Sequence, residues 1–184
     1  MDAPKSYCEF VEHLPLDNIH RIYHDSAYGF PIEDDNELFE RLVLEINQAG
    51  LSWSTILNKL NNFKIAYDFF NIAKVAAYTT TDIDRLLNDA GIIRNRLKVN
   101  AAIYNANKIL EIQKNHGSFK KWLDANHPKT KDEWTKLFKK TFTFTGGEIV
   151  NEFLLSTGYL KGSHVESCNI FNKVIEHNPA WIEK

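Results

Sequence analysis

Asn36-Glu-Leu-Phe-Glu-Arg-Leu-Val-Leu-Glu-Ile-Asn-Gln48 is the stretch on which the fold turns. Leu38, Phe39, Leu42, Val43 and Ile46 fall on one broad stripe at 100° per residue, and Ala49-Gly50 closes the run, so it reads as a core-facing α-helix. Positions 38, 42, 45 and 49 share a narrow arc of that helix, and three of them are Leu, Leu and Ala. The fourth is Glu45. A carboxylate on an apolar face must be hydrogen-bonded, paired with a cation, or reserved for a ligand. Just downstream, Gln48-Ala-Gly-Leu-Ser-Trp53 brings an amide, a glycine turn and an indole to the same helix end, a combination suited to a flat heterocycle.

Outward from this helix the 3.6-residue period continues. It predicts helices over 52–60, 63–70, 72–78 and 81–89, the last with a capping-box-like start at Thr81-Asp-Ile-Asp84, and a long one over 94–113 in which Leu97, Ala101, Tyr104, Ile109 and Ile112 supply apolar contacts. Segments 117–124 and 131–140 read as more exposed helices anchored by Trp122 and Trp134, and Gly146-Gly147 opens a last helix that Gly158 stops. Thr141-Phe-Thr-Phe-Thr145 alternates like a strand but is too short for a sheet. The expected class is all-α. We expect one catalytic unit over 1–184: core helices at about 35–115 with a hairpin near 86–100, and a second helical part at about 116–168 with the N-terminal segment.

Composition narrows the function classes. The chain has 184 residues, 43% apolar, with a net charge of −2 and two cysteines, Cys8 and Cys168. That cysteine count makes no disulfide framework, and no apolar stretch reads as a membrane span or signal segment, so the expectation is a cytoplasmic, monomeric protein. Charge is uneven: seven acids and one arginine lie between Asp25 and Glu45, against nine lysines and four acids between Lys108 and Lys140. The two cysteines and two histidines, Cys8, His24, His164 and Cys168, form a set with the donor types of a tetrahedral zinc site that would tie the two chain ends together.

Leu86-Leu-Asn-Asp-Ala-Gly-Ile-Ile-Arg-Asn-Arg96 reads as a helix that passes through a glycine turn at Gly91 into another helix. Such a turn can aim backbone N–H groups at a phosphate, with Arg94, Arg96 and Lys98 adding positive charge; an ordinary helical hairpin is the other reading. Leu51, an apolar residue in a glycine turn, is either an intercalating wedge or a core leucine.

Four blocks then carry a family resemblance: Tyr23-His-Asp-Ser-Ala-Tyr-Gly-Phe-Pro31, Leu44-Glu-Ile-Asn-Gln-Ala-Gly-Leu-Ser-Trp53, Asp89-Ala-Gly-Ile-Ile-Arg-Asn-Arg96, and Phe144-Thr-Gly146 leading to His164 and Cys168. Across nearly its whole length the chain resembles 3-methyladenine DNA glycosylase I, a branch of the helix-hairpin-helix base-excision enzymes. The resemblance implies an enzyme that removes cationic 3-methyladenine from alkylated double-stranded DNA without a lyase step, and a structural Zn2+ on Cys8, His24, His164 and Cys168. It implies Glu45 as the functional carboxylate, Tyr23 and Trp53 as aromatic walls with Phe10 behind them, and Gln48 and Tyr28 beside the base. Gly91, Arg94, Arg96, Lys98 and Leu51 would meet the DNA. No acid lies between Ile92 and Leu110, where aspartate-using relatives carry one. The chain departs from the pattern at Tyr7, Phe10, Tyr28 and Ser163, and in the acids Glu148 and Glu152. A non-catalytic damage-binding module and a glycosylase for another alkylated base are the alternatives.

Overall fold

A computed structural model describes residues 4–182 and consists, among them, of helices and turns without a strand. The helices are α1 (Tyr7–Glu12), α2 (Ile19–Ser26), α3 (Asp35–Gln48), α4 (Trp53–Asn58), α5 (Leu60–Ala66), α6 (Ile72–Ala76), α7 (Thr80–Asn88), α8 (Arg96–His116), α9 (Phe119–Asn126), α10 (Lys131–Thr141), α11 (Gly147–Ser156) and α12 (Phe171–Glu176). Helix α3 is central and packs against α4, α6, α8, α9 and α11. The five stripe residues Leu38, Phe39, Leu42, Val43 and Ile46 are at most 1% exposed. Removing each such side chain from water stabilises the fold by about 1.5–3 kcal/mol before entropy costs. Arg41, Leu44, Glu45 and Asn47 are buried as well, so α3 is enclosed on nearly all sides rather than on one face.

Several elements differ from the sequence reading, each for a local reason. Helices α1, α2 and α12 are too short for a period to stand out; Ser6 and Asn18 cap the first two, whereas α12 begins without a side-chain cap and buries Val174. The expected 63–70 helix ends at Ala66, because Asp68, Phe69 and Phe70 take positive φ in a left-handed turn. The Tyr78 hydroxyl holds that turn through Asp68 Oδ2 at 2.6 Å. The capping box of α7 is built from Thr79 and Asp82, two residues upstream of the expected start. Along α8, Val99, Ala102 and Ala106 join Ala101, Ile109 and Ile112 in the core, whereas Leu97 and Tyr104 are exposed. Trp122 and Trp134 are buried anchors. The 141–145 alternation is no strand: α10 runs through Thr141, and Phe144 turns the chain with φ 61°.

Asp35 connects the central helix to the second helical part. Its Oδ2 accepts from the Phe119 backbone N–H and the Gln113 amide, and its Oδ1 accepts from the Lys120 N–H, so it satisfies the first donors of α9 alongside the N-cap Ser118. Two helix-end donors and a charge-assisted amide bond rest on one carboxylate. Asp35→Ala is expected to destabilise the protein by about 2 kcal/mol in urea unfolding; a loss of less than about 0.5 kcal/mol would show that water replaces it.

Candidate functional site

Glu45 opens onto a cavity of about 410 Å³ lined by Tyr7, Tyr23, Tyr28, Glu45, Gln48, Trp53, Glu152, Leu155 and Gly162. Helix α3 brings Glu45 and Gln48, α2 brings Tyr23, the turn after α2 brings Tyr28, α4 begins with Trp53, and α11 brings Glu152 and Leu155. The walls are aromatic: Tyr23 lies 5.2 Å from Trp53 and 5.7 Å from Tyr28, centroid to centroid, and Tyr7 meets Tyr28 edge-on at 5.5 Å. Burial raises the hydroxyl pKa of Tyr7, Tyr23 and Tyr28, so all three remain neutral. The Trp53 indole N–H is buried with no hydrogen-bond partner among the described residues.

Glu45 is 4% exposed, and its carboxyl takes no hydrogen bond from any described residue. Burial pushes its pKa up to about 8, with Arg41 pulling it down and Glu152 pushing it further up. Arg41 precedes it by one helical turn but does not bond to it. One guanidinium nitrogen, Nη1, donates to the Tyr23 hydroxyl and to the Ser156 carbonyl, both at 3.1 Å. The sequence reading did not single out Arg41; its only signal was a cation one turn before the buried acid.

One expected pocket residue is replaced by another that the sequence reading did not place there. Phe10 is 40% exposed and does not line the cavity, while its neighbour Tyr7 does. Cys8 and Val11 define the buried face of α1, and residue 10 lies on the far side of that face. Of the two extra acids, Glu148 points to solvent and pairs with Lys131 at 3.0 Å, whereas Glu152 faces the cavity and accepts from the Tyr28 hydroxyl at 3.3 Å.

Cys8, His24, His164 and Cys168 have converged, with one donor atom from each lying within 4.8 Å of the others. His24 Nδ1 lies 2.6 Å from Asp25 Oδ1, and His164 Nε2 lies 2.7 Å from the Tyr28 carbonyl. Both partners can only accept, so each of these nitrogens carries its ring's proton. The remaining nitrogens, His24 Nε2 and His164 Nδ1, then face each other as lone pairs 3.1 Å apart. Two opposed acceptors repel unless a cation or a donated proton lies between them, so the donor set is one that a metal ion fits. A tetrahedral zinc with ordinary bond lengths sets N···N at about 3.3 Å and S···N at about 3.6 Å; the S···N distances are 3.7 Å from Cys8 to His164 and 3.8 Å from Cys168 to either histidine. His164 and Cys168 lie in consecutive turns rather than on a helix. The cluster adjoins the pocket: Cys8 follows Tyr7, His24 follows Tyr23, and His164 holds the backbone of Tyr28.

The hairpin between α7 and α8 is more self-satisfied than its sequence implies. The Gly91 N–H donates to Asp89 Oδ1 at 2.7 Å, and Asn95 caps the Leu97 and Lys98 N–H groups. A side chain at Gly91 would meet Asp89 Oδ1 at 2.9 Å and Asn62 Cβ at 3.1 Å, so a larger residue would require both neighbours to shift. Lys98 is 5% exposed, and its Nζ donates to the Asn47 and Ala49 carbonyls at 2.9 and 2.8 Å. It therefore secures the C-terminal end of α3 and is not available to a phosphate, contrary to the sequence expectation. Arg94 and Arg96 are exposed, Arg96 lying 3.6 Å from Asp84. Leu51, 39% exposed, projects beside the pocket in a turn that Gly50 permits with φ 81° and that the Gln48 side chain braces at the Leu51 carbonyl, 3.2 Å away.

A helical scaffold with an acid-bearing aromatic pocket beside an arginine-flanked hairpin and a Cys/His cluster is the arrangement of a base-recognising DNA enzyme. The family model described as methyladenine glycosylase matches residues 14–137. DNA-3-methyladenine glycosylase 1 of Escherichia coli strain K12 is 36% identical over 180 residues, covering 88% of this chain and 94% of the relative. The DNA-3-methyladenine glycosylase of Haemophilus influenzae is 34% identical over 165 residues, covering 79% and 89%. Among solved structures, 3-methyladenine DNA glycosylase I from Staphylococcus aureus, described with its recognition of 3-methyladenine, superposes with a TM-score of 0.78 at 32% identity, covering 91% of this chain and 97% of that one. The chain belongs to the methyladenine glycosylase family.

Proposed function

We propose that this chain is a DNA repair glycosylase that excises 3-methyladenine from alkylated double-stranded DNA by hydrolysing its N-glycosidic bond. The observation that carries the reading is the buried, unpartnered Glu45 carboxyl inside an aromatic cavity. A base must leave the helix to reach such a pocket, where stacking reads its faces and hydrogen bonds read its edge. Methylation at N3 makes the base cationic, so Tyr23, Tyr28, Tyr7 and Trp53 hold it by cation–π attraction, and Glu45 accepts from its edge while balancing its charge. The cation is already a good leaving group, and among the described residues no lysine or cysteine lines the cavity to form a covalent intermediate of the Schiff-base or thiol kind. The reaction then needs a held base and a positioned water rather than covalent catalysis, which supports a monofunctional enzyme without lyase activity.

The Cys8, His24, His164 and Cys168 cluster fits Zn2+, which would act as a structural cross-link, with both cysteines as thiolates. Its contribution is to fix Tyr7, Tyr23 and Tyr28, the residues beside its ligands, in their wall positions. We assign DNA contacts to Arg94 and Arg96 in a helix-hairpin-helix arrangement, supported by their exposure beside the N-terminus of α8. The chain acts as one catalytic unit and a monomer, a reading supported by one hydrophobic cluster that runs from Ile32 to Tyr159. No described helix is long and apolar enough to cross a membrane, and two free thiols suit the reducing cytoplasm.

The deciding experiment is release of free 3-methyladenine from methylated duplex DNA by the zinc-loaded protein. Release supports the reading; a folded protein that binds the DNA without releasing base is the damage-binding alternative. Leu51 is assigned as the wedge that fills the gap left by the flipped base. Leu51→Ala is expected to lower kcat/KM on duplex substrate about tenfold, a loss of about 1.4 kcal/mol, with far less effect on single-stranded substrate. Equal losses on both substrates would make Leu51 a packing residue.

A further inference from the structure

Glu152 is the one acid in the cavity that the base-pocket reading does not use. It sits on α11, which packs against α3, and it lines the same cavity as Glu45. Its Oε2 accepts from the Tyr28 hydroxyl at 3.3 Å, and its Oε1 accepts from the Asn151 amide at 3.3 Å. Both partners are neutral. Among the described residues no lysine or arginine lines the cavity, and Arg41, the cation whose charge acts on Glu45, is committed to the Tyr23 hydroxyl and the Ser156 carbonyl. The site thus brings two carboxylates to one cavity with one guanidinium behind the wall, and an empty pocket with both acids ionised carries an excess negative charge. Glu45 is buried and Glu152 half-buried, and a like-charge pair withdrawn from water to that degree is costly unless a proton or a cationic ligand relieves it. The unpartnered Glu45 and the orphaned Trp53 indole N–H mark the same cavity as built for an occupant.

We infer that Glu152 is a charge-selecting residue of the base pocket, a second carboxylate that favours a cationic purine over its neutral counterpart. Arg41 offsets one acid, and the ligand's own charge offsets the other. The inference rests on the base-pocket reading above and deepens it, because it predicts how the pocket tells substrate from product. When the bond between the base nitrogen and the sugar C1′ breaks, its electron pair stays on the base and cancels the base's positive charge. The sugar carbon takes a water oxygen, and that water's proton leaves to solvent. The product is then neutral, and the charge term that held the substrate is gone, which favours release. Glu148, one turn earlier on α11, carries the same charge but lies outside the cavity with its side chain 86% exposed.

The test is calorimetric binding of two probes to the zinc-loaded protein: 3,9-dimethyladeninium, a permanent cation, and 3-methyladenine, the neutral product. The wild type is expected to prefer the cation. Glu152→Gln is expected to weaken cation binding about tenfold and leave neutral binding within about twofold, collapsing the preference. Glu148→Gln is expected to leave the ratio unchanged. If Glu152→Gln weakens both probes equally, Glu152 only orients Tyr28 and the inference is overturned; the same holds if Glu148→Gln collapses the ratio as much. If the folded wild type binds neither probe, the base-pocket reading itself falls, a result distinct from failure of Glu152 alone. Glu152→Ser, with a shorter side chain, repeats the measurement should the glutamine variant fold poorly by circular dichroism.

Discussion

Glu45→Gln is expected to lose base excision by about a hundredfold or more in kcat/KM while making the free protein more stable above pH 8. The two effects have one cause. The carboxyl is buried without a hydrogen-bond partner, so the folded protein holds its proton up to about pH 8, whereas in the unfolded chain it ionises near the ordinary glutamate value of 4.5. A raised folded pKa means that the native state binds more protons than the unfolded one between those two values. The stability this group contributes is fully present below pH 4.5 and is lost as pH rises through about 8, at no more than about 1.4 kcal/mol per pH unit. Glutamine does not titrate and keeps that stability. Denaturant unfolding at pH 5 and pH 9 should therefore show the variant gaining on the wild type by up to about 4 kcal/mol at the higher pH. The activity arm follows from the same titration: a cationic base pairs with the ionised form, so wild-type kcat/KM should rise with pH through about 8. An unchanged stability difference between the two pH values would show that Glu45 is ionised and solvated in the free protein. A variant that retained full excision would remove Glu45 from the reaction.

Removal of the proposed zinc is expected to have the second-largest effect. With zinc gone, two lone pairs 3.1 Å apart and two thiols are left facing one another, and the link between α1, α2 and the turns around His164 is lost. We expect stripping by a strong chelator, or Cys8→Ser, to cost on the order of 4 kcal/mol. For a chain of this size that lowers Tm by about 10 °C. Because Tyr7, Tyr23 and Tyr28 sit beside the ligands, affinity for 3-methyladenine should fall with stability, even at temperatures where the core remains folded. Elemental analysis of purified protein should give one zinc per chain. Well under one zinc, together with an unaltered Tm in Cys8→Ser, would remove the metal from the account and leave four residues packed as neutral groups.

Much of the pocket was legible because helix geometry is a local property. Once Leu38, Leu42 and Ala49 fix the phase of α3, the position of Glu45 on the apolar face follows without knowing what packs there, and Gln48 and Trp53 follow from the turn that ends the helix. The two cysteines were evident candidates because the chain has no others, whereas His24 and His164, two of its seven histidines, joined them through the family resemblance.

What the sequence could not contain is which side chain wins a contested position between elements. Helix α1 is six residues long, too short for a period, and its rotation is set by Cys8 and Val11 turning inward; this puts Tyr7 on the cavity and leaves Phe10 outside it. Lys98 reads as a cation beside a hairpin, but the carbonyls at the end of α3, 49 and 51 residues away in sequence, need a donor and take it. Gly91 reads as a free backbone donor, and Asp89 claims its N–H. Glu148 and Glu152 look alike in sequence, yet four residues of helix send one to solvent and the other to the pocket. The sequence by itself determined the all-helical class, the acid on an apolar helix face and the presence of residue types suited to a metal, because periodicity and chemistry are local; the tertiary structure decided the wall residue, the partners of the cations and the second carboxylate, because each depends on which long-range neighbour meets a polar group.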